Sequence, residues 1–353
     1  MRLSVLVLFV YFVVPAAGSF GFNTTVDDVK RLRARANSSN YDKWIRPLKN
    51  QSNVLEVTLG LTLYSVIDFD QTKQALSTSV QLRVYWQDEL LAWEKEDYGG
   101  IEGLLFAQDD IWKPDLYLNN SYHSFTGFGS DDLAVWVTSD GNVSWYPIQV
   151  LESQCSIYTY NFPYDNQTCS LFFESANYPE SQLKLLSEGE DGLQLAYKRN
   201  NEWAITSTYT VEHEPGAVEF KLELQRRWGY YQYNLVAPII LVSLLCPFVF
   251  LVPVESGERS GFASLLFLTF CVFQSNIGVI IPKNANGASF TSRFLFGMMA
   301  FTGLIVFISL VEIRLHREKE WVRNSSFLKT ADVSMGITIF VAIIVWIICL
   351  QTI

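Results

Sequence analysis

The spacing of apolar positions changes character once along the 353-residue chain. In LEVTLGLTLYSVIDF (55–69), Leu55, Val57, Leu59, Leu61 and Leu63 alternate with Glu56, Thr58, Gly60, Thr62 and Tyr64. Period two predicts a strand with one buried and one wet face. VEFKLELQ (218–225) repeats the pattern, and AVWVTSDGNVSW (134–145) sets Asp140-Gly141 between two β-favouring runs, a hairpin signal. VDDVKRLRARAN (26–37) reads as one short helix ahead of these strands. Beyond Trp228 the alternation gives way to four long apolar runs, each of a length for one helical crossing. They predict helices over 233–252, 258–281, 293–315 and 331–351. Expected domains are therefore a sandwich of about ten strands, immunoglobulin-like in class, over 20–228, and a four-helix membrane domain over 229–353.

The first residues carry a different signal. LSVLVLFVYFVV (3–14) follows Arg2 and precedes Ala16, Ala17 and Gly18, the form of a secretory leader over 1–19. A membrane anchor is the weaker alternative, because a dozen apolar residues fall short of the roughly 20 that a span needs. Orientation follows from charge. The segment 314–329, RLHREKEWVRNSSFLK, holds Arg314, Arg317, Lys319, Arg323 and Lys329, and basic excess marks the cytosolic side. A multi-pass plasma-membrane protein with both termini outside is the expectation, with 314–329 as a short cytosolic loop.

Composition sharpens this. The chain is acidic overall, at −10, and residues 20–227 hold 30 acidic against 17 basic side chains. Such a field enriches cations near a membrane mouth, or simply solubilises the domain, and it offers no nucleic-acid surface. Sequons at Asn23, Asn37, Asn50, Asn119, Asn142 and Asn166 fit a glycosylated exterior. In an oxidising compartment Cys155 and Cys169 can pair, while Cys246, Cys271 and Cys349 sit inside apolar runs. No Gly-rich phosphate loop, HExxH or G-x-S-x-G is present, and His123, His213 and His316 are scattered. Neither an enzyme nor a cofactor is expected.

The fifteen residues CSIYTYNFPYDNQTC enclose Phe162-Pro163-Tyr164-Asp165. Alone, the two cysteines could be a plain hairpin staple, worth about 3 kcal/mol in the chain-entropy picture. With a β-sandwich and four membrane runs beside them, the chain resembles the Cys-loop family of pentameric ligand-gated ion channels, nicotinic-type subunits in particular. Trp112, Pro114 and Asp115, the proline at 238 and the Pro253–Pro282 block carry that likeness. The resemblance implies five subunits round a pore, a bilayer, monovalent cations and a small-molecule ligand between subunits. It also implies that the cystine loop presses on the membrane helices, with Pro282 and the 282–293 loop meeting Phe162–Asp165. Arg226 matches the family's pre-membrane arginine; its usual acidic partner aligns with Gln71, so neighbouring Asp70 is the expected partner instead.

On this reading the second membrane helix lines the pore. Five copies of Glu258 would ring its cytosolic mouth, and an acidic ring favours cations; alternatively Glu258 only complements a helix N-terminus. One face reads Gly261, Leu265, Leu268, Val272, Ser275/Asn276 and Val279. Stacked rings of Leu265, Leu268 and Val272 could gate by excluding water.

The family's aromatic cage maps poorly. Its usual aromatics fall on Asn119, Ala176 and Gln81, and the capping segment TVEHEPGAVE (210–219) lacks paired cysteines. Tyr117, Tyr178 and Tyr209 remain as possible walls, with Glu212, His213 and Glu214 on the capping segment. Expectation therefore runs to a cation-selective subunit whose agonist is not a standard acetylcholine match. The alternatives are an accessory subunit that needs partners or, further off, an anion channel.

Overall fold

The computed structural model describes residues 24–351 except 37, 39, 40, 124–126, 131, 190, 191, 197, 215, 282–286 and 319–325. The leader and the sequons at Asn23 and Asn37 lie outside the described residues. Helix α1 (Val26–Ala36) opens the chain as its pattern predicts, buried through Leu32 and Ala36. Its entry is a capping box built from Thr25 and Asp28: Asp28 N–H donates to Thr25 Oγ1 at 3.2 Å and Thr25 N–H to Asp28 Oδ2 at 3.0 Å.

Twelve strands follow among the described residues, two more than the pattern suggests, because short pieces join the long ones. One sheet contains β1 (Leu55–Asp70), β2 (Ala75–Gln87), β3 (Gly103–Ala107), β5 (Ala134–Thr138), β6 (Asn142–Trp145), β7 (Ile148–Gln154), β9 (Leu183–Ser187) and β10 (Leu193–Leu195). Its order is β10-β1-β2-β6-β5-β3, with β7 also on β2 and β9 also on β1. The other sheet runs β11-β12-β8-β4, from β4 (Leu116–Leu118), β8 (Asn166–Ser175), β11 (Trp203–His213) and β12 (Ala217–Arg226). Between the sheets lies one apolar core to which Leu59, Leu61, Leu63, Val84, Trp145, Phe173, Phe220 and Leu222 contribute.

The expected wet face of β1 is only half wet. Gly60 and Thr62 are buried, because Arg83 lies across them on β2 and pairs with Glu188 at 2.7 Å. A side chain at position 60 would collide with both partners. The Asp140-Gly141 hairpin forms as its spacing predicts, with Gly141 at φ 83°, where a left-handed residue closes the turn.

The membrane helices differ from expectation at their ends. Helix α2 (Gly229–Leu251) starts four residues before the predicted 233 and is not uniform. It contains a π-helical segment, Gln232–Val236, and a 3-10 segment, Cys246–Leu251. Both irregularities adjoin a proline, Pro238 or Pro247, whose missing N–H and ring disturb the regular ladder. Helix α3 (Glu258–Ile280) matches its prediction to within one residue. Helices α4 (Phe290–Glu318) and α5 (Ser326–Gln351) are longer than the apolar runs, so part of the expected 314–329 loop is helical. Among the described residues, three of these helices are long and apolar enough to cross a membrane, and α5 contains a shorter apolar stretch, Asp332–Val345.

Candidate functional site: the domain junction, the pore face and the cleft

Strand β12 ends the sandwich in a way its own period makes costly. Val218, Phe220, Leu222 and Leu224 point inward, and the next inward position is Arg226, whose side chain is 0% exposed. A buried guanidinium must be paired. Its Nε and Nη2 donate to the two carboxylate oxygens of Asp165 at 2.7 and 2.9 Å, and Nη2 also donates to Gln71 Oε1 at 2.9 Å. Glu202 stands 3.4 Å from Nη1. The planar cation also sits 4.3 Å from the Trp203 ring and 5.4 Å from that of Tyr231.

The expected Asp70–Arg226 pair is thus corrected. Asp70 faces Lys73 at 3.1 Å, one turn onward, and Lys73 N–H holds its carboxyl below the usual carboxylate range. The residue at 71 keeps its place beside Arg226 as a neutral acceptor, and Asp165 supplies the charge. Asp165 is legible as a loop residue, but its direction is not, since that depends on Arg226 and Gln167, which hold its carboxylate.

Cys155 and Cys169 are bonded, their Cα atoms 5.1 Å apart. The ring they close does not rest on the membrane domain from outside. Phe162 is buried within the core of the membrane helices, beside Leu235, Ile239 and Leu295. Thr291 Oγ1 donates to Phe162 O at 2.6 Å, and Phe290 N–H donates to Tyr160 O at 2.8 Å. Tyr164 bonds to Gln232 and packs 5.7 Å from Trp228. Contacts from the α4 side come from Phe290, Thr291 and Arg293, whose guanidinium stands 5.2 Å from the Tyr160 ring; Pro282 lies outside the described residues. Trp203, Glu202, Tyr231 and Thr291 escaped the sequence reading because nothing in their spacing distinguishes them from packing residues.

On α3, Arg259, Ala263, Leu266, Phe270 and Ile277 are buried against the other helices. Gly261, Leu265, Leu268, Val272, Ser275, Asn276 and Val279 are all exposed, on the opposite side. Glu258, in the first turn, is exposed with them. The helix therefore presents leucine, valine, hydroxyl and amide groups outward in one stripe.

The cleft residues are dispersed or occupied. Tyr117 donates to Glu174 at 2.6 Å, a contact that pushes its hydroxyl pKa up to about 12. Tyr178 turns inward, 6.4 Å from Trp112 and packed against the sandwich core. Tyr209 faces outward, but the Lys221 ammonium lies over its ring at 5.9 Å. Glu212 accepts from Ser187 N–H at 2.6 Å, and His213 Nε2 lies 2.8 Å from Glu219 Oε2. Asn119, Ala176 and Glu214 are exposed and contribute no ring; Gln81 accepts from Tyr64 Oη at 2.9 Å. Asn50 and Asn142, two of the sequons, are also exposed.

A second aromatic surface lies on the other sheet. Tyr85 and Tyr146 meet edge to face at 5.9 Å, and Trp136, Ile148 and Val150 are exposed near them. Gln81, Arg83 and Tyr85 share one face of β2, so continuing the period-two count past Gln81 would have found it.

Comparison with known proteins agrees with this geometry. The family profile described as neurotransmitter-gated ion-channel ligand binding domain matches residues 30–228. The acetylcholine receptor subunit gamma of Mus musculus is 30% identical over 299 residues, covering 78% of this chain and 57% of the relative. The acetylcholine receptor subunit alpha-like 2 of Drosophila melanogaster is 31% identical over 313 residues, covering 81% and 54%. The neuronal acetylcholine receptor subunit beta-3 of Homo sapiens is 27% identical over 311 residues, covering 86% and 67%. The chain spans less than two thirds of the length of the mouse and fly relatives. With a sandwich closed by a cystine loop that enters a bundle of apolar helices, this chain belongs to the neurotransmitter-gated ion-channel family, as a Cys-loop subunit of nicotinic type.

Proposed function

We propose that the chain is one subunit of a pentameric, ligand-gated, cation-selective channel of the plasma membrane. A small molecule binding between outer domains would open a conduit lined by α3, and four further subunits, identical or related, would complete the ring. The observation that carries this reading is the exposed stripe on α3. Leu265, Leu268 and Val272 are uncovered in the single chain, share that face with Ser275 and Asn276, and end at exposed Glu258. Lipid would cover an all-apolar face, but a stripe that mixes rings of leucine with amides and a carboxylate suits a water-filled axis. Five carboxylates at one mouth raise local cation concentration and repel anions. The leader, outward termini and a 229–353 membrane domain follow from the same reading.

The ligand would lie between the Tyr117–Tyr209 surface of one subunit and the Tyr85–Trp136–Tyr146 surface of the next. Lys221 lies over Tyr209 and Tyr178 packs against Trp112, so both rings are already engaged within the chain. That same observation favours a second reading, an accessory subunit whose agonist site is completed by relatives. Expression alone and with acetylcholine receptor subunits, followed by recording under ion substitution, separates the two. A reversal potential that follows sodium supports cation selectivity, and one that follows chloride refutes it. Current only in mixed assemblies supports the accessory reading.

A further inference from the structure

Glu258 and Arg259 are consecutive, so a cation stands beside the anion that the proposed filter requires. In a fivefold array an exposed guanidinium next to each carboxylate would cancel much of the ring's field. The structure sends the two side chains different ways. Glu258 is exposed; Arg259, about 100° round the helix, is 0% exposed.

Three helices hold Arg259 there. Its Nη1 and Nη2 donate to Asp332 Oδ2 and Oδ1 on α5 at 3.0 and 2.9 Å. Nη2 also lies 2.9 Å from Glu312 Oε2 on α4, and the guanidinium stands 4.8 Å from the Phe250 ring of α2. The trio of charges sums formally to +1 − 2 = −1. Gly257, at φ 73°, provides no side-chain cap for α3. Ser256 Oγ accepts from Glu258 N–H at 3.3 Å instead, and Arg259 is held on the buried side of the first turn, away from exposed Glu258.

We propose that Arg259, Asp332 and Glu312 form a clamp that sets ion selectivity at one remove: it withdraws the guanidinium next to Glu258 from the mouth and neutralises it. Asp332 and Glu312 are positioning residues, and the inference rests on reading α3 as the lining of a cation channel. The clamp predicts an inversion that simple structural support does not. Removing both carboxylates frees a positive charge at the mouth, and then removing Arg259 itself takes that charge away again.

The test uses the full chain carrying Leu268→Thr, a change expected to give agonist-free current, recorded under a sodium chloride gradient. Asp332→Asn with Glu312→Gln is expected to lower cation conductance about sevenfold, the effect of a change of two unit charges across roughly 7 Å of water. It should also move the reversal potential towards that of chloride. Adding Arg259→Gln should move both about halfway back to the parent values at matched surface expression. An unchanged potential in the double variant, or a triple variant at the surface with no return, overturns the clamp while leaving the cation-channel reading intact. If the double variant does not reach the surface, Asp332→Asn alone is read by the same criteria. A Leu268→Thr channel that is silent, or that follows chloride from the start, overturns the cation-channel reading and the clamp with it.

Discussion

Arg226 occupies a position that strand alternation assigns to a hydrophobe, and its environment shows what a charge needs in order to stay there. Asp165 supplies two oxygens, Gln71 a third, and Trp203 a ring face. Removing one member of a buried pair leaves the other unpaired, which costs about 3–5 kcal/mol. Arg226→Gln should therefore destabilise the purified protein by that order in denaturant titration, with strong coupling to Asp165→Asn in a double-mutant cycle. Asp70→Asn should cost under about 1 kcal/mol, since its pair with Lys73 is solvent-exposed, and should add independently to Arg226→Gln.

Asp88 gives a residue-scale prediction with a pH sign. It is 0% exposed and accepts from Tyr41 Oη at 2.8 Å and from Leu90 and Leu91 N–H at 2.9 and 3.0 Å. Burial nevertheless pushes its carboxyl up from 3.8 to about 6. A folded-state value above the unfolded one means that the native state binds the extra proton between those limits. The contribution of Asp88 to stability is full below pH 3.8 and declines as pH rises to about 6. The stability difference between the parent and Asp88→Asn should fall across that window and be flat above it. A difference independent of pH from 4 to 7 would show that Asp88 titrates normally.

At the scale of elements, the junction is an exchange of side chains between two folding units. The cystine ring contributes Phe162 to the membrane-helix core, and α4 returns a hydrogen bond from Thr291 to the Phe162 carbonyl. The ring is thus tied covalently to the strands and by packing and a hydrogen bond to the helices. Thr291→Val should remove one bond worth about 1 kcal/mol, shifting the agonist concentration for half-maximal response while leaving surface expression unchanged. On α3 the expected change has the opposite character. In the proposed pore, Leu268→Thr would replace a dry ring by hydroxyls, lower the cost of wetting it, and should produce current without agonist.

For the whole molecule, the outer faces of the two sheets differ in kind. The β11-β12-β8-β4 face carries charged partners such as Lys221, Glu219 and Glu174, whereas the β5–β7 region exposes Trp136, Tyr146, Ile148 and Val150. Exposed apolar side chains grouped on one sheet mark a surface that another protein covers. Ile148→Asp should block assembly in the proposed ring, seen as particles of monomer size in detergent chromatography. Particles that stay pentameric would place the interface elsewhere.

Period and composition alone determined the larger divisions of this protein: strands before Trp228, apolar helices after it, and the α3 stripe that starts at Glu258. These are local properties, because the face a residue takes within one strand or helix follows from its spacing. The Phe-Pro-Tyr-Asp loop and the Trp112, Pro114 and Asp115 set were legible for another reason, their likeness to a known family. Tertiary structure decided which groups meet across elements. It turned Asp165 rather than Asp70 to Arg226, laid Lys221 over Tyr209, and buried Arg259 against Asp332 while leaving its neighbour exposed. Each of those outcomes depends on the register of separate segments and on the need to neutralise a buried charge, and no spacing within one segment encodes either.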